Sequence, residues 1–427
     1  MKVWAADDVE AARGELRIAP GDLVTPLARE RAADLGVNIV TGGSGGPGPE
    51  RRPGGPGPAR PPGASRSPRG ARPPGAQPKS AIKAGGPVPD QAVSGALYRR
   101  GAPASRGPSG VGGRAAAGGR VMVVGAGHVG MITAARLAEA DVFGEVVLVD
   151  VVEGLAAGIA LDLTHTAGLS GFGTRVTGAV TVEEAGPADY VVITAGRARQ
   201  PGMSRGDLVT VNAAIVGDIA ARVAAVAPAA VLVVVTNPLD EMTQHAWRAS
   251  GFPAARVIGM AGVLDTARFR ALVAQAAGLR PGQVRAVALG SHGDEMVIPL
   301  SQASAAGRPL AEVLGEASVA AMVTRARDSG AEVVSLLKQG SAFMAPGASA
   351  ARIVLAMATD SGQTLPAAVL ADGSYGIEGV YVGLPARLGR GGVLQIVELA
   401  LTPGELAELR QAADRIRERL GVLAAAS

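Results

Sequence analysis

The stretch Arg120–Asp150, RVMVVGAGHVGMITAARLAEADVFGEVVLVD, decides the fold. Its pattern predicts a strand at Val121–Val124, a glycine turn, a helix over about residues 129–140 and a second strand at Val146–Val149. Both strands are almost wholly apolar, as is typical of a parallel sheet covered on both faces. The stretch is therefore interpreted as the first βαβ unit of a doubly wound α/β domain.

The predicted turn carries the pattern G-x-G-x-x-G at Gly125, Gly127 and Gly130, and the second strand ends at Asp150. In a dinucleotide site the first glycine permits a tight turn, the second admits the pyrophosphate, and the third lets helix and strand approach closely. The helix N-terminus then offers free N–H groups and a positive dipole end to the diphosphate. Asp150 would accept hydrogen bonds from the adenosine ribose and repel a 2′-phosphate, which favours NAD over NADP.

Taken alone, this pattern is weak evidence. The chain contains 61 glycines, and a purely structural βαβ turn could carry the same spacing. The flanking strands, the helix that follows and the acidic residue at the expected distance favour dinucleotide binding over that structural alternative.

Composition narrows the class of protein. The 427 residues contain no cysteine, which excludes disulfides, thiolate metal sites and a cysteine nucleophile. The sequence starts with MKVWAADD rather than an apolar leader, and it has no uninterrupted apolar run of membrane-spanning length. We therefore expect a soluble cytoplasmic protein without a membrane partner.

The net positive charge is unevenly distributed. Residues 41–120 carry 13 Lys and Arg against 2 Asp and Glu, whereas residues 121–427 carry 23 against 28. The positive excess therefore belongs to one segment, and the rest of the chain is mildly acidic. Nucleic acid is not expected as a ligand.

Four regions are predicted: a small N-terminal module at residues 1–40, a disordered linker at 41–118, an NAD-binding Rossmann domain at 119–262, and a mixed α+β catalytic and substrate domain at 263–427. Strands and helices alternate from Arg120 onward, which predicts a parallel sheet with helices on both faces. The last helix is clearly marked, because Thr402 and Glu405 fit a capping box around Pro403.

Residues 1–40 are predicted to be too few to bury a core of their own. The segment ELRI at Glu15–Ile18 indicates a strand. An amphipathic helix is predicted to follow and to stop at Gly36, with an apolar face formed by Leu27, Ala28, Ala32 and Leu35. We expect this module to pair with itself or to dock on a partner.

The linker is rich in glycine and proline, which account for 36 of residues 41–120. Such a composition predicts a flexible, extended tether. One segment, VPDQAVSGALYRR at Val88–Arg100, interrupts it. This segment is either a chance apolar patch or a short helix that binds another protein.

His292 is the candidate catalytic base among the four histidines. It lies in G-S-H-G-D, just after the apolar run Val284–Leu289, where side chains emerge from a sheet. A lone histidine is more often structural or solvated than catalytic, so the pattern alone leaves both interpretations open. No chemistry is assigned to the other histidines, His128, His165 and His245.

Two further groups of charged residues are candidates. Asp265 and Arg268 share one face of a predicted helix, where they form either a surface ion pair or a site that orients a histidine and binds a carboxylate. Arg197, Arg199 and Arg205 lie within nine residues with no acidic residue among them. These arginines suit either an anion site or an ordinary solvated loop.

Together these segments resemble the lactate/malate dehydrogenase family, and most closely its bacterial malate-type members built on the lactate-dehydrogenase plan. The resemblance covers residues 120 to about 423 and rests on five motifs in order: GAGHVG…VLVD, ITAGRARQPGMSRGDLVTVNA, VVTNPLDEMT, GFPAARVIGMAGVLDTARFR and GSHGDEMV. It implies NAD as the cofactor, a homo-dimer or homo-tetramer, and a dehydrogenase of the tricarboxylic acid cycle.

The resemblance also implies a role for each polar residue. His292 exchanges a proton with the substrate hydroxyl, and Asp265 fixes the imidazole. Arg268 binds the C1 carboxylate in a bidentate pair, and Arg205 polarises the C2 oxygen from a loop that closes over the site. The amides that orient substrate or cofactor are Asn212 and Asn237.

Arg199 decides the expected substrate, because lactate-type members have glutamine at its position and malate-type members have arginine. A buried charge that is left without its partner costs about 3–5 kcal/mol. A second guanidinium in the site therefore favours a substrate with a second carboxylate, malate or oxaloacetate. One departure is the loop sequence RARQPG, where A-P-R-K-P-G is usual, which adds Arg197. A lactate-type or other 2-hydroxy acid dehydrogenase therefore stays the alternative.

The N-terminal segment LVTPLARERAADLGVNI resembles a short motif at the ends of enzymes associated with bacterial microcompartments, and faintly the peripheral subunit-binding domain of 2-oxo acid dehydrogenase complexes. Our hypothesis is that residues 1–40, with Val88–Arg100, recruit the enzyme to a shell or complex partner. A disposable extension is the alternative. A non-enzymatic alternative for the whole chain is an NAD-binding scaffold that delivers this module, although a scaffold has no need for the complete set of catalytic residues.

Overall fold

The computed structural model describes residues 118–197, 205–293, 295–338 and 340–426 and, near the N-terminus, residues 3–4, 8–9, 11–12, 14–19, 22–24, 28, 31–32 and 35–41. The chain forms two compact units, Met1–Ala104 and Ser105–Ser427. Nearly all of the predicted linker, including Val88–Arg100, lies outside the described residues.

The N-terminal unit contains four short strands, β1 (Val3–Trp4), β2 (Glu15–Ile18), β3 (Leu23–Val24) and β4 (Asn38–Thr41). Strand β1 pairs with β3, and β2 pairs with β4, in both cases in parallel. The strand predicted at Glu15–Ile18 is confirmed. Gly36 has φ of 64°, the left-handed conformation expected where a helix stops.

The prediction that residues 1–40 bury no core is wrong. A small apolar cluster is buried within this unit, formed by Val9, Leu16, Ala28, Ala32 and Val37. Parallel pairing explains it, because the chain between paired strands must fold back across them and can cover their apolar side chains. Leu35, which was expected on the buried face, is instead exposed.

The first half of the larger unit alternates strands and helices as predicted. Its strands are β5 (Arg120–Val124), β6 (Glu145–Val149), β7 (Arg175–Ala179), β8 (Tyr190–Ile193), β9 (Val231–Val234) and β10 (Val257–Gly259). Its helices are α1 (His128–Glu139), α2 (Leu155–Ser170), α3 (Val182–Ala185), α4 (Arg205–Val226) and α5 (Leu239–Ser250).

These six strands form one parallel sheet in the order β7-β6-β5-β8-β9-β10. The chain therefore winds outward from β5 in one direction and then outward from β8 in the other. The inner strands β6, β8 and β9 are buried along their whole length, which explains their continuous runs of Val, Ile and Leu. A crevice opens where such a winding reverses, beyond the carboxyl ends of β5 and β8.

The second half mixes helices with antiparallel strands. Its strands are β11 (Val284–Arg285), β12 (Leu289–Gly290), β13 (Met296–Val297), β14 (Ser304–Ala305), β15 (Arg308–Pro309), β16 (Thr364–Asp372), β17 (Glu378–Gly389) and β18 (Gly392–Ile396). Its helices are α6 (Gly262–Ala277), α7 (Leu310–Leu314), α8 (Glu316–Leu337), α9 (Met344–Ala358) and α10 (Pro403–Ala426). Strands β17 and β18 form an antiparallel hairpin.

The sheet runs without a break across the predicted boundary at residues 262 and 263. Strand β16 pairs antiparallel with β10, where Gly259 faces Ala368, and β17 continues the sheet beyond it. One apolar core accordingly joins residues of both halves. This shared sheet brings the loop after β12 close to the helices that follow β9 and β10.

Helix α4 is long and apolar enough to cross a membrane by length and composition, over Gly206–Val226. One stripe of it, formed by Val216, Ala220 and Val223, is fully buried within the unit, as in a helix that packs one face on a core. Its exposed side carries Asp218, which pairs with the half-buried Arg222. Among the described residues this is the one helix that meets the length and composition test.

Candidate active site

The glycine turn between β5 and α1 has the geometry that the motif predicts. Gly125 has φ of 104°, and a side chain there would meet the backbone nitrogen of Ala195 at 2.6 Å. A Cβ on Gly130 would lie 1.8 Å from the carbonyl oxygen of Gly125. Gly125 and Gly130 therefore allow the turn and the close packing of helix on strand.

Gly127 is different, because a Cβ built there meets no heavy atom of the described residues within 4 Å. The space in front of it is open, at the N-terminus of α1, where backbone N–H groups point outward. A cavity of about 460 Å³ adjoins this turn and is lined by Gly125, Gly127 and Asp150 among others. The turn and cavity fit a diphosphate and its nucleoside.

Asp150 lies at the end of β6 and is held by two backbone groups. Its Oδ2 accepts a hydrogen bond from the N–H of Ala126 at 2.8 Å, and its Oδ1 accepts one from Val152 at 3.0 Å. Each carboxylate oxygen has further lone pairs for a ligand. Asp150 thus fixes the glycine turn and presents negative charge to the cavity.

A second cavity of about 550 Å³ lies beside the first, and both are lined by Thr194 and Gly196 at the end of β8. Three candidate residues from separate parts of the sequence line it: Asn237, Arg268 and His292. The two cavities form a crevice at the carboxyl ends of the parallel strands, where ligands bind in open α/β sheets.

His292, Asp265 and Arg268 form one hydrogen-bonded group. His292 Nδ1 lies 2.8 Å from Asp265 Oδ2, and Arg268 donates from Nη1 to Asp265 Oδ1 at 3.2 Å. Asp265 is only 2% exposed, whereas the other two side chains reach the cavity. Helix α6 explains the pairing, because Asp265 and Arg268 are three residues apart on one face.

The environment of His292 alters its acidity. Burial acts to lower the pKa of the imidazole, but the carboxylates of Asp265 and Asp240 act in the opposite direction and leave that pKa raised. Since Nδ1 faces Asp265, the ring nitrogen free for a ligand is Nε2.

Asp240, at the start of α5, is a residue that the sequence interpretation missed. Its Oδ2 accepts hydrogen bonds from Ser291 Oγ at 2.8 Å and from the backbone N–H of His292 at 3.0 Å. Oδ1 is buried and has no hydrogen-bond partner in the described part of the chain. Burial and the neighbouring Glu241 raise the pKa of Asp240 to about 7.

The two asparagines have different surroundings. Asn237 is exposed and lines the second cavity. Asn212 is buried behind the loop: its Oδ1 accepts from the N–H of Arg197 at 2.7 Å, and its Nδ2 donates to the carbonyls of Arg197 and Asn237. Its amide is therefore committed to backbone groups, and any effect of Asn212 on a ligand passes through the loop it holds.

The loop arginines are only partly described. Arg197 lines the second cavity. Arg199 lies outside the described residues, and so does the side chain of Arg205, whose backbone begins α4. Two charged residues of α8 that the sequence interpretation did not single out, Arg327 and Asp328, also line the cavity.

Comparison with known proteins agrees with this geometry. Residues 119–259 match the NAD-binding domain of the lactate/malate dehydrogenase family, and residues 262–425 match its α/β C-terminal domain. Malate dehydrogenase from Pelodictyon phaeoclathratiforme is 44% identical over 305 residues, which are 71% of this chain and 98% of that protein.

Two solved structures show the same likeness. Malate dehydrogenase from Salinibacter ruber is 39% identical, with a TM-score of 0.68 over 71% of this chain and 97% of that one. Lactate dehydrogenase from Cryptosporidium parvum, in complex with lactic acid and NAD, is 34% identical, with a TM-score of 0.69 over 72% of this chain and 98% of that one. In each comparison the unmatched part of this chain is more than a quarter of its length.

Proposed function

The chain belongs to the lactate/malate dehydrogenase family, and we propose that it interconverts (S)-malate and oxaloacetate with NAD as the hydride acceptor. The observation that carries this function is the group of His292, Asp265 and Arg268 at a cavity that adjoins the glycine turn. An acid–base imidazole beside a carboxylate-binding guanidinium is what oxidation of a 2-hydroxy acid requires.

His292 acts as the base. In malate oxidation the neutral imidazole takes the hydroxyl proton on Nε2, while Asp265 holds the Nδ1–H and stabilises the imidazolium that forms. In the reverse direction the imidazolium returns that proton to the C2 oxygen. Because the pKa of His292 is raised, the protonated form persists to a higher pH, and oxidation gains from alkaline conditions more than reduction does.

The arginines bind and polarise the substrate. Arg268 binds the C1 carboxylate with two parallel hydrogen bonds. Arg205 stabilises negative charge on the C2 oxygen when the loop 197–206 closes and expels water, and Asn237 orients the substrate. Arg199 binds the second carboxylate.

The glycine turn and Asp150 hold the cofactor, NAD. Gly127 leaves room for the diphosphate at the N-terminus of α1, and Asp150 accepts hydrogen bonds from the adenosine ribose. When bound, NAD supplies a nicotinamide ring that accepts a hydride from C2 and returns it in reverse.

The substrate is assigned to the dicarboxylic class because of Arg199, and relatives of both types are similar in fold. The experiment is NADH oxidation measured in parallel with oxaloacetate, pyruvate and other 2-oxo acids, with NADPH as the cofactor control. Preference for oxaloacetate and NADH supports the proposal. Preference for pyruvate supports the lactate-type alternative, and no turnover of any 2-oxo acid defeats both.

Self-association is proposed through α2, and the partner is a second copy of the chain. This helix buries only Ala156 and Ala160 within the unit, while Leu161 and Leu169 are exposed, Leu169 to 89%. Exposed leucines on one helix are typical of an interface. Light scattering on the intact protein tests this, and a Leu161→Glu, Leu169→Glu variant should dissociate; an unaltered mass would contradict the proposal.

The N-terminal unit is proposed to recruit the enzyme to a larger assembly, such as a bacterial microcompartment. Two facts support recruitment: residues before position 42 bury a small apolar cluster of their own, and a Gly- and Pro-rich segment follows that cluster in the sequence. Deletion of residues 1–115 should leave turnover unchanged and abolish co-localisation with the assembly. Localisation that survives the deletion would mark the unit as a disposable extension.

A further inference from the structure

A half-buried arginine of the C-terminal helix α10, Arg419, contacts the rear of the loop that carries His292. Arg419 Nη2 lies 2.9 Å from Ser291 Oγ, and Nη1 lies 2.7 Å from Glu295 Oε2. Its Nε donates to Glu241 Oε1. All five guanidinium N–H groups are donors, so the three partners can only accept from Arg419.

Because Arg419 can only donate, the direction of the next hydrogen bond, from Ser291 to Asp240, is fixed. Ser291 Oγ accepts from Arg419 and so donates its own hydrogen to Asp240 Oδ2, 2.8 Å away. The same Oδ2 accepts the backbone N–H of His292 at 3.0 Å. A continuous chain of hydrogen bonds therefore leads from α10 to the backbone of the residue proposed as the base.

Arg419 also offsets negative charge behind this loop. Three carboxylates lie there, those of Asp240, Glu241 and Glu295, and Glu241 is only 3% exposed. Arg415 reaches Glu295 as well, but from the more exposed side at 3.4 Å. Removal of Arg419 would leave Glu241 buried beside Asp240 with its cation missing.

The charged groups around the His292 imidazole come from several elements. The pKa of the imidazole depends on the combined electrostatic effect of these groups. The effect of removing the Arg419 charge must therefore be compared with the effects of the charges that face the cavity. The groups are Asp240 of α5, Asp265 and Arg268 of α6, Arg327 and Asp328 of α8, and Arg197 of the loop after β8.

We propose that Arg419 is a positioning residue for His292: through Ser291 and Asp240 it sets the place of the catalytic loop, and with its charge it limits the negative potential behind the imidazole. This inference rests on the proposed role of His292 as the base. It gives α10 a part in catalysis although no described side chain of α10 lines either cavity.

The first test measures the pKa of His292 directly by NMR titration of the histidine ring signals. The chain has four histidines, and loss of one signal in His292→Asn assigns the resonance. Arg419→Met should raise the His292 pKa by about half a unit or more, because removal of one nearby positive charge stabilises the imidazolium by an amount of that order. Arg419→Lys keeps the charge and should restore the pKa to within about 0.2 units of the original enzyme.

The matched control is Arg417→Met, on the same helix. Arg417 pairs with exposed Asp414 and with the carbonyl of Glu378, and it makes no contact with the His292 loop among the described residues. It should leave the His292 pKa in place. If Arg419 were only a structural brace, Arg419→Met would lower the melting temperature and leave the pKa of His292 unchanged.

The second test is kinetic. Arg419→Met should lower kcat about tenfold with little change in KM, and move the acidic limb of malate oxidation to higher pH by the same amount as the NMR pKa. If this variant does not fold, Glu241→Gln with Arg419→Met removes both members of the buried pair. In that double variant kcat should still fall, while the pKa of His292 stays close to its original value.

An unchanged His292 pKa together with an unchanged kcat in folded Arg419→Met overturns the inference, as does an unchanged kcat in the double variant. These results are distinct from failure of the proposed function. If the original enzyme turns over no 2-oxo acid, the function fails, and the NMR titration still decides whether Arg419 governs the imidazole.

Discussion

His292 Nδ1 lies 2.8 Å from Asp265 Oδ2, although the two residues belong to different elements, the loop after β12 and helix α6. The shared sheet brings them together, because β12 joins it through β17 and α6 follows β10 directly. The carboxylate fixes which ring nitrogen faces the cavity. That relationship makes the histidine a base of defined orientation rather than a solvated side chain.

Replacement of Asp265 by asparagine should cost more than a hydrogen bond. An amide can still accept from Nδ1–H but cannot stabilise the imidazolium, so kcat should fall roughly a hundredfold or more. The carboxylate raises the pKa of His292, so its loss should move the acidic limb of malate oxidation to lower pH. Asp414→Asn, at an exposed acid on α10, is the control. A full-rate Asp265→Asn enzyme would contradict the assignment.

Asp240 should make the free energy of unfolding decrease as the pH rises, which is the opposite of what most carboxylic acids do. Its pKa is raised from 3.8 to about 7, so the folded state binds the proton more tightly than the unfolded state. The stabilisation is complete below pH 3.8 and is lost as pH rises through about 7, on the order of 4 kcal/mol in total.

Denaturant titrations between pH 4 and 8 test this. The difference in the free energy of unfolding between the original protein and Asp240→Asn should shrink as the pH rises, because asparagine does not titrate. A constant difference across this range would mean that Asp240 does not change protonation on unfolding.

Arg199→Gln should shift the preference from oxaloacetate toward pyruvate. A buried guanidinium that pairs the second carboxylate is worth roughly 3–5 kcal/mol, so the ratio of kcat/KM for the two substrates should change by at least about a hundredfold. The matched control is Arg197→Gln, two residues away. If Arg197→Gln changes the ratio as much as Arg199→Gln, the extra arginine shares substrate recognition.

Asp150→Asn should weaken the discrimination between cofactors. The ribose loses a charge-assisted hydrogen bond worth about 1.5–3 kcal/mol, so KM for NADH should rise about tenfold or more, and NADPH should become a better substrate. Initial rates with both cofactors give the answer. Asp414→Asn, at an exposed acid on α10, is the control, and NADH kinetics that remain unchanged in Asp150→Asn would refute the ribose contact.

Much of the fold was predictable because its signals are local. The run Val146–Val149 marks a strand buried on both faces, and the capping box of Thr402 and Glu405 forms as expected, with bonds of 2.9 and 3.3 Å. Strand β16 was missed, since TLPAAVLAD combines alanine with a proline and lacks strong β-forming residues at half its positions. Its place is set by pairing with β10 and β17.

The candidate site was predictable only where a motif carries its own chemistry. The glycine turn and the pairing of Asp265 with Arg268 follow from short spacings. The contact of Asp240 with the His292 backbone does not, because it joins residues 52 apart that only the folded sheet brings together. Arg419 was not singled out, since nothing in RERLGV indicates a buried acceptor.

The most direct test of the redox function is the rate of oxaloacetate-dependent NADH oxidation by His292→Asn, with NADH affinity measured by fluorescence in the same preparation. We expect the rate to fall about a thousandfold, the scale of losing a general acid–base, while NADH binds as before. An unaltered rate would contradict the role of His292 as the base, and the absence of any rate in the original protein would favour a chain that only binds NAD.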